Sequence, residues 1–445
     1  MTEQSRAVRD VAIPGASLSV LAEGRESGDV HATVSPSRSL PPASNTKLVT
    51  AGVALDTLGP DFTFETRLAA REETDDGVLD GDLLLVGTGA PDLEQDDLET
   101  LAAAVGNRIT RIAGDLVVDG SMFTDGHLAP GWTWGDQRYY YGARSSALAL
   151  DRNQVTVCIS VENSPDGEVE PTVTVTPKTA AVEVDCDLSV SQDAAIDDIE
   201  VYADHESGTV TVRGALPPDA DTVEESVPIR QPECHCAGAL VAALADAGVS
   251  LDGEIRLEEG SEPNDDAETL ASVTSAPVRD LVREMNLPSD NFIAEQLARR
   301  VAHEVTGEGS WAHWETLVQD HFEALGSENV RIRDGSGLSR YNTIPASALL
   351  AHLRWVDEQP WAEAFFDSLP TPGEGTLSSR LSGVTVAAKT GTITGTSALT
   401  GVVRRDADED VFFSLLHGGL TRDRGDEARE KQDAFVEWLA SETDA

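Results

Sequence analysis

The chain is poor in positive charge and poorer still in lysine. Against 79 acidic residues it sets 32 basic ones, a formal charge of −47, and only four of the 32 are lysines: Lys47, Lys178, Lys389 and Lys431. This balance argues against a nucleic-acid partner, because phosphate recognition rests on clustered Lys and Arg. Long apolar runs are missing too. No stretch reaches the ~18 uninterrupted apolar residues of a membrane span, so none is expected. The N-terminus, Met1-Thr2-Glu3-Gln4-Ser5-Arg6, lacks the basic head, apolar core and small-residue cleavage site of a secretory leader. A cytoplasmic location is expected, or an exported one if a leader has been removed.

Cysteine is scarce: Cys158 and Cys186 stand alone, and Cys234-His235-Cys236 has no second close pair. A structural zinc site offers four ligands at recognisable spacing, so reduced thiols and no metal are expected. The nine histidines show no ligand spacing. Other chemistries lack their signatures. There is no Gly-x-Ser-x-Gly elbow and no phosphate loop. His303-Glu304 begins a His-Glu-x-x-His pattern that ends on Gly307, and Gly87-Thr88-Gly89 is followed by Asp92 where a dinucleotide fingerprint needs glycine.

What is present is a globular chain. It has 445 residues, enough for two or three domains, 40% hydrophobic residues, and apolar periodicity along most of its length, which excludes disorder. The 28 arginines and few lysines give the acidic composition of proteins from salt-accumulating halophiles. In dilute buffer such a charge repels itself and weakens the fold. At ~1 M salt the Debye length falls to ~3 Å and the repulsion is screened.

Residues 44–58 have helical periodicity (Leu48, Ala51, Leu55, Leu58), and the helix can start only after Pro41-Pro42. A β-rich tract follows, with strands at 83–86, 154–161, 172–176 and 209–213. Embedded in it are a helix at 93–105 and a long aromatic loop at 120–147, with Trp132, Trp134, Tyr139, Tyr140 and Tyr141. Helices are predicted at 237–247, 276–286, 290–304, 311–325 and 345–356. A strand at 384–389, a turn at 391–395, strands at 398–403 and 411–417, and a helix at 424–440 complete the chain. The last helix buries Ala428, Phe435, Trp438 and Leu439. Asn264-Asp265-Asp266 is one of several acidic patches. Antiparallel strands between an early helical region and a late helix predict an α+β layered domain, with the β-rich middle inserted into it. The predicted domains are 1–65 plus 226–445, then 66–90 plus 151–225, with 91–150 nested inside.

Three motifs occur in order. Ser44-Asn45-Thr46-Lys47 begins the first helix, where a spacing of three puts Ser44 and Lys47 on one face. A serine hydroxyl needs a base beside it, and lysine serves if desolvation and neighbouring positive charge bring its pKa towards 7. The helix N-terminus offers N–H groups where an oxyanion would form. Ser289-Asp290-Asn291 opens the 290–304 helix. Asn can hold a substrate amide and the hydroxyl can relay a proton, although Ser and Asp are also ordinary N-caps. Lys389-Thr390-Gly391 lies on the strand of the terminal hairpin. A strand edge gives an acyl substrate a backbone to pair with, the lysine a counter-charge, and glycine room for close approach. With four lysines, Lys-Thr-Gly is expected by chance on the order of a few hundredths of a time. Two of the four lysines thus sit where arginine, which does not deprotonate, could not act as a base.

Together, Ser-x-x-Lys, Ser-x-Asn and Lys-Thr-Gly mark the penicillin-binding proteins and serine β-lactamases. Ser289 follows Lys47 by 242 positions, too long a gap for a β-lactamase. The arrangement resembles the D-Ala-D-Ala carboxypeptidase/endopeptidase family, the class C low-molecular-mass penicillin-binding proteins. Gly81-Asp82-Leu83-Leu84-Leu85, Pro130-Gly131-Trp132, Tyr141-Gly142-Ala143, Asp334-Gly335-Ser336-Gly337-Leu338-Ser339-Arg340 and Gly375-Thr376-Leu377 are similar to its landmarks. The resemblance implies a transpeptidase-like domain, an antiparallel sheet flanked by helices, with two inserted, largely β domains. It implies acylation of Ser44 with Lys47 as base, Ser289 as proton relay and Asn291 on the substrate amide. Lys389 and Thr390 would bind the terminal carboxylate, with Gly391 beside them and the N–H groups of Ser44 and Thr392 forming the oxyanion hole. It implies no metal or cofactor, small peptide substrates ending in D-amino acids, and β-lactams as inhibitors. Two features depart from the family: no export signal is visible, and His417-Gly418-Gly419 stands where the family often has Asn. The alternatives are a same-fold β-lactamase, esterase or D-amino-acid peptidase, and a non-catalytic penicillin-binding-like protein.

Overall fold

The structure, a computed structural model, describes residues 9–163, 169–177, 182–204, 206–258, 267–405 and 409–441. Lys178 and the patch Asn264-Asp265-Asp266 lie outside them. The chain divides into two compact units: Met1–Phe62 with Ala129–Gly131 and Ala276–Ala445, and Thr63–Leu128 with Trp132–Ser275.

The first unit is α+β. Its N-terminal part supplies β1 (Ser17–Gly24), β2 (Val30–Val34) and α1 (Thr46–Thr57). After the long excursion come α2 (Val278–Asn286), α3 (Asn291–Thr306), α4 (Trp311–Ala324), α5 (Ala346–Asp357) and α6 (Ala362–Asp367). Then follow β3 (Val386–Ile393), β4 (Thr396–Val403), β5 (Val411–Gly418) and α7 (Gly425–Ser441). The five strands form one antiparallel sheet in the order β3-β4-β5-β1-β2. Every residue of β4 and β5 is buried. Helix α7 packs on β4, and α5 packs on β5 and β1. Strands covered on both faces need no polar alternation: β5 reads as a nearly continuous apolar run, and β4 mixes apolar residues with the small hydroxyls of Thr396, Ser397 and Thr400. Phe435, Val436 and Leu439 of α7 join the core with Leu399, Phe413 and Leu415. Each such side chain contributes about 1.5–3 kcal/mol of burial. The predicted 391–395 turn is shorter in the structure: β3 runs on to Ile393, and only Thr394 and Gly395 turn.

The second unit extends to Ser275. Leu83–Val86 pairs with Glu65–Ala70 and Leu116–Asp119, and the same five-stranded sheet takes in Ile255–Leu257 and Glu268–Thr274. Segments assigned to three different domains therefore share one hydrogen-bonded sheet. The helix Gln95–Gly106 packs against Pro232–Asp246. Val223–Pro228 pairs with Gln154–Asn163, which also pairs with Val169–Thr176. Val184–Val190, Glu200–Ala203 and Val210–Leu216 form another three-stranded sheet. Val157, Ile159, Val210, Val212 and Val227 close the core between these two sheets. The aromatic stretch 120–147 contains only short 3-10 turns. Among the described residues no helix is long and apolar enough to cross a membrane.

Candidate active site

The Ser-x-x-Lys motif begins in a 3-10 turn, Ala43–Asn45, before α1 takes over at Thr46. Pro42 cannot continue a strand ladder, and Ala43 at φ +48° turns the chain sharply. Ser44 is thereby half-buried and Lys47 fully buried. Lys47 Nζ lies 3.2 Å from Ser44 Oγ, 2.6 Å from Asn291 Oδ1 and 2.9 Å from the Ser336 carbonyl oxygen. Three partners match an ammonium. They match a neutral amine as well: Asn291 and Ser336 can only accept, so they take its two hydrogens and leave its lone pair for the Ser44 hydroxyl.

Burial brings the Lys47 ammonium down to about 8, against the opposing pull of the carboxylates of Asp290, Asp334 and Glu295. Desolvation was expected to do this. The repulsion between the Lys47 and Lys389 ammonium groups is mutual, and burial together with Lys47 pushes the Lys389 ammonium well below its ordinary value.

The Ser-x-Asn motif divides its labour. Asp290 is the N-cap of α3, its Oδ1 accepting from Ile293 N at 2.9 Å. Ser289 is not a cap. It stands at φ +67°, a left-handed conformation that costs a non-glycine residue roughly 1–2 kcal/mol, and its hydroxyl accepts from Lys389 Nζ at 2.8 Å. Asn291 occupies the first turn of α3, facing Lys47.

The Lys-Thr-Gly motif lies on β3, the edge strand of the sheet. Pairing of Ile393 with Thr396 across a two-residue turn fixes the alternation, so Lys389, Gly391 and Ile393 bond to β4. The N–H and C=O groups of Thr390 and Thr392 therefore point away from β4. Consistent with this, Lys389 Nζ donates back to the Thr390 carbonyl at 3.2 Å. The Thr390 and Thr376 hydroxyls meet at 2.8 Å.

Glycine at 391 also permits a close approach within the protein itself. A Cβ there would lie 2.6 Å from the Pro42 carbonyl oxygen and 3.2 Å from Asn45 N. Its absence lets β3 lie against the turn that carries Ser44. Asn45 ties the two together, Nδ2 donating to the Lys389 carbonyl at 2.5 Å and Oδ1 accepting from Thr400 Oγ1 at 3.1 Å.

All five predicted chemical residues are thus hydrogen-bonded in two groups, Ser44–Lys47–Asn291 and Ser289–Lys389, that join segments more than 240 and then about 100 positions apart in sequence. The motifs did not point to Asn45, Glu295, or the roles of the Asp334 and Thr376 segments. Fully buried Glu295 and Asp334 receive backbone N–H groups of residues 335–339. Asp334-Gly335-Ser336 and Gly375-Thr376-Leu377 were visible as landmarks, without a task. Cys234 and Cys236 are free thiols, with Cys236 buried. Two apart on a helix, they point to different faces. His417 is buried, its Nε2 at 2.9 Å from the Val11 carbonyl.

Residues 3–442 match the D-Ala-D-Ala carboxypeptidase 3 (S13) family. A D-alanyl-D-alanine carboxypeptidase of an Actinomadura species is 32% identical over 430 residues, covering 93% of this chain and 79% of the relative. D-alanyl-D-alanine carboxypeptidase DacB of Haemophilus influenzae is 27% identical over 423 residues, 92% of this chain and 87% of the relative. The crystal structure of penicillin binding protein 4 from H. influenzae superposes with a TM-score of 0.83 at 26% identity, over 98% of this chain and 99% of that one. The same protein complexed with a β-lactam gives 0.79 at 25% identity, over 99% and 100%. This chain belongs to the D-Ala-D-Ala carboxypeptidase 3 (S13) family, and it is a serine hydrolase.

Proposed function

We propose that this hydrolase cleaves peptides ending in D-Ala-D-Ala through an acyl-enzyme on Ser44, and that β-lactams acylate the same oxygen. The observation that carries this reading is the buried Lys47 amine, 3.2 Å from Ser44 Oγ, with Asn291 and Ser336 occupying its other hydrogen bonds. Both kinds of relative, D-alanyl-D-alanine carboxypeptidases and a β-lactam-bound penicillin binding protein, support it.

In this mechanism Lys47 takes the Ser44 proton as Oγ attacks the carbonyl carbon of the penultimate residue. The oxyanion forms between the N–H groups of Ser44 and Thr392, the latter on the outward side of the edge strand. The C–N bond then breaks. Ser289 relays the proton from Lys47 to the leaving amine, which departs as D-alanine. Water, activated by Lys47, hydrolyses the ester and restores the Ser44 hydroxyl. Asn291 offers its amide to the substrate backbone, while Lys389 and Thr390 take the terminal carboxylate. Because burial and the neighbouring Lys47 push the Lys389 ammonium well below its ordinary value, the arriving anion supplies the charge that holds its proton.

We also infer that the fold needs molar salt, given a charge of −47. Circular dichroism unchanged after dialysis into dilute buffer would refute that. The function is tested in high salt with a labelled penicillin: the expected result is a mass increment on the Ser44 peptide, and absence of an adduct overturns the reading. Release of D-Ala from a D-Ala-D-Ala peptide separates the peptidase from a β-lactamase, an esterase or a binding protein.

A further inference from the structure

Behind Lys47 lies a second layer of ionisable groups that the reaction does not consume. Glu295 projects from α3, one turn after Asn291, and is fully buried. Its carboxylate faces three donors. Oε2 accepts from Trp311 Nε1 at 2.7 Å and from Gly335 N at 3.0 Å, and Oε1 accepts from Ser336 N at 2.9 Å. The peptide group it grips from the N–H side is followed at once by the Ser336 carbonyl, which accepts from Lys47 Nζ at 2.9 Å. The segment has little other freedom. Thr50 Oγ1 of α1 donates to the Gly335 carbonyl at 2.6 Å. Gly337 stands at φ +89°, and a Cβ there would lie 1.9 Å from the Ala43 carbonyl oxygen. The 335–337 segment is therefore pressed against the turn that carries Ser44.

We propose that Glu295 is a positioning residue for acylation: by holding the N–H groups of Gly335 and Ser336, it aims the Ser336 carbonyl at Lys47 and so directs the lysine lone pair at Ser44. The proposal rests on the acyl-enzyme reading above. A neutral amine has two hydrogens. If either acceptor turns away, the amine rotates and its lone pair leaves the Ser44 hydroxyl. A carboxylate suits the task because each oxygen can receive N–H donors. A glutamine in its place would turn an NH2 group towards N–H donors at one oxygen or the other. The role is also electrostatic. Lys47 is faced by the carboxylates of Asp290, Asp334 and Glu295, and by the ammonium of Lys389. Glu295 itself is faced by Asp334, and one turn further along α3 the Arg299 guanidinium lies over the Trp311 ring at 4.0 Å.

The test measures the rate of penicillin acylation against pH, in high salt, for the wild-type chain, Glu295→Gln and Glu295→Asp. Glu295→Gln is expected to lower the plateau rate about 10- to 100-fold, the scale of a small misplacement of reacting groups. It should also move the acid limb to lower pH, because one of the carboxylates that favour the charged lysine is gone. Glu295→Asp keeps the charge but falls a methylene short, so the plateau should drop while the limb stays. Val436→Ala, buried in α7, serves as a control of similar stability loss and should acylate at the wild-type rate. An unchanged plateau in Glu295→Gln overturns the proposal. So does a reduced plateau with an unmoved limb that Val436→Ala reproduces. If the wild-type chain forms no adduct at all, the acyl-enzyme reading fails instead, and that result is distinct from either.

Discussion

Both units bury carboxylates, yet the two kinds of burial differ. In the second unit Asp119 and Asp136 are 5% exposed. Each accepts from its own turn: Asp119 Oδ1 from Ser121 N and Oγ at 3.1 and 2.6 Å, and Asp136 Oδ2 from Thr133 N and Oγ1, both at 2.8 Å. In the first unit Glu295 and Asp334 are completely buried and, with Asp290, act on an amine from another part of the chain. A carboxylate bonded two or three residues away shapes a loop. Carboxylates converging from distant segments oppose the fall that burial imposes on an amine's pKa. The comparison teaches that burial of charge by itself does not mark a reactive site; convergence of charges far apart in sequence does.

The sharpest way to break the comparison is to remove the amine on which the first unit converges. Lys47→Ala should lower penicillin acylation about 10²–10⁴-fold, the range expected for loss of a general base, with the fold preserved by circular dichroism. A variant that acylates normally removes Lys47 from the base role.

Titration comes next. Lys47 acts as the neutral amine, and its folded value of about 8 lies below the ordinary lysine value. The neutral fraction therefore rises with pH. Acylation should climb tenfold per pH unit below that value and level off above it, so that two units below, the rate is roughly a hundredfold down. A flat profile across this range would mean that Lys47 does not control the step.

Gly391→Ala probes the close approach of strand and nucleophile turn. Its Cβ would meet the Pro42 carbonyl at 2.6 Å, so acylation should fall at least about tenfold through displacement of Ser44. The loss should appear in the acylation rate more than in the melting temperature. A wild-type rate would show that the turn yields without consequence.

The mildest effect belongs to the second unit. Asp119→Ala should cost about 1–3 kcal/mol of stability, the penalty of unsatisfied turn donors, read by denaturant unfolding in high salt. Acylation per folded molecule should stay at the wild-type rate. A tenfold loss would erase the distinction between the two kinds of burial.

Much of this site was legible in advance because its chemistry is encoded in short spacings. Ser44 and Lys47 share a helical face whatever the rest of the chain does. The scarcity of lysine singled out Lys47 and Lys389, and both are among the largest fully buried side chains, whereas Lys431 reaches the surface to the Asp10 carbonyl at 2.5 Å. The strands of the terminal hairpin were legible too, at 384–389 and 398–403. The second unit was harder. Its sheet joins strands from residue 65 to residue 274, and such pairing leaves no local trace, so the return point to the first unit was placed at 226 instead of 276.

The sequence by itself determined which residues carry reactive groups and which motifs stand at the starts of helices or on an edge strand, because hydroxyl, amine and helical period are local properties. Only the tertiary structure decided what surrounds them. It gave Asp290 the cap and Ser289 the contact with Lys389, and it set Gly391 against the turn of Ser44. It also brought Glu295 and Asp334 behind Lys47. Those outcomes depend on desolvation and on distances between segments hundreds of residues apart, and both come into being when the chain packs.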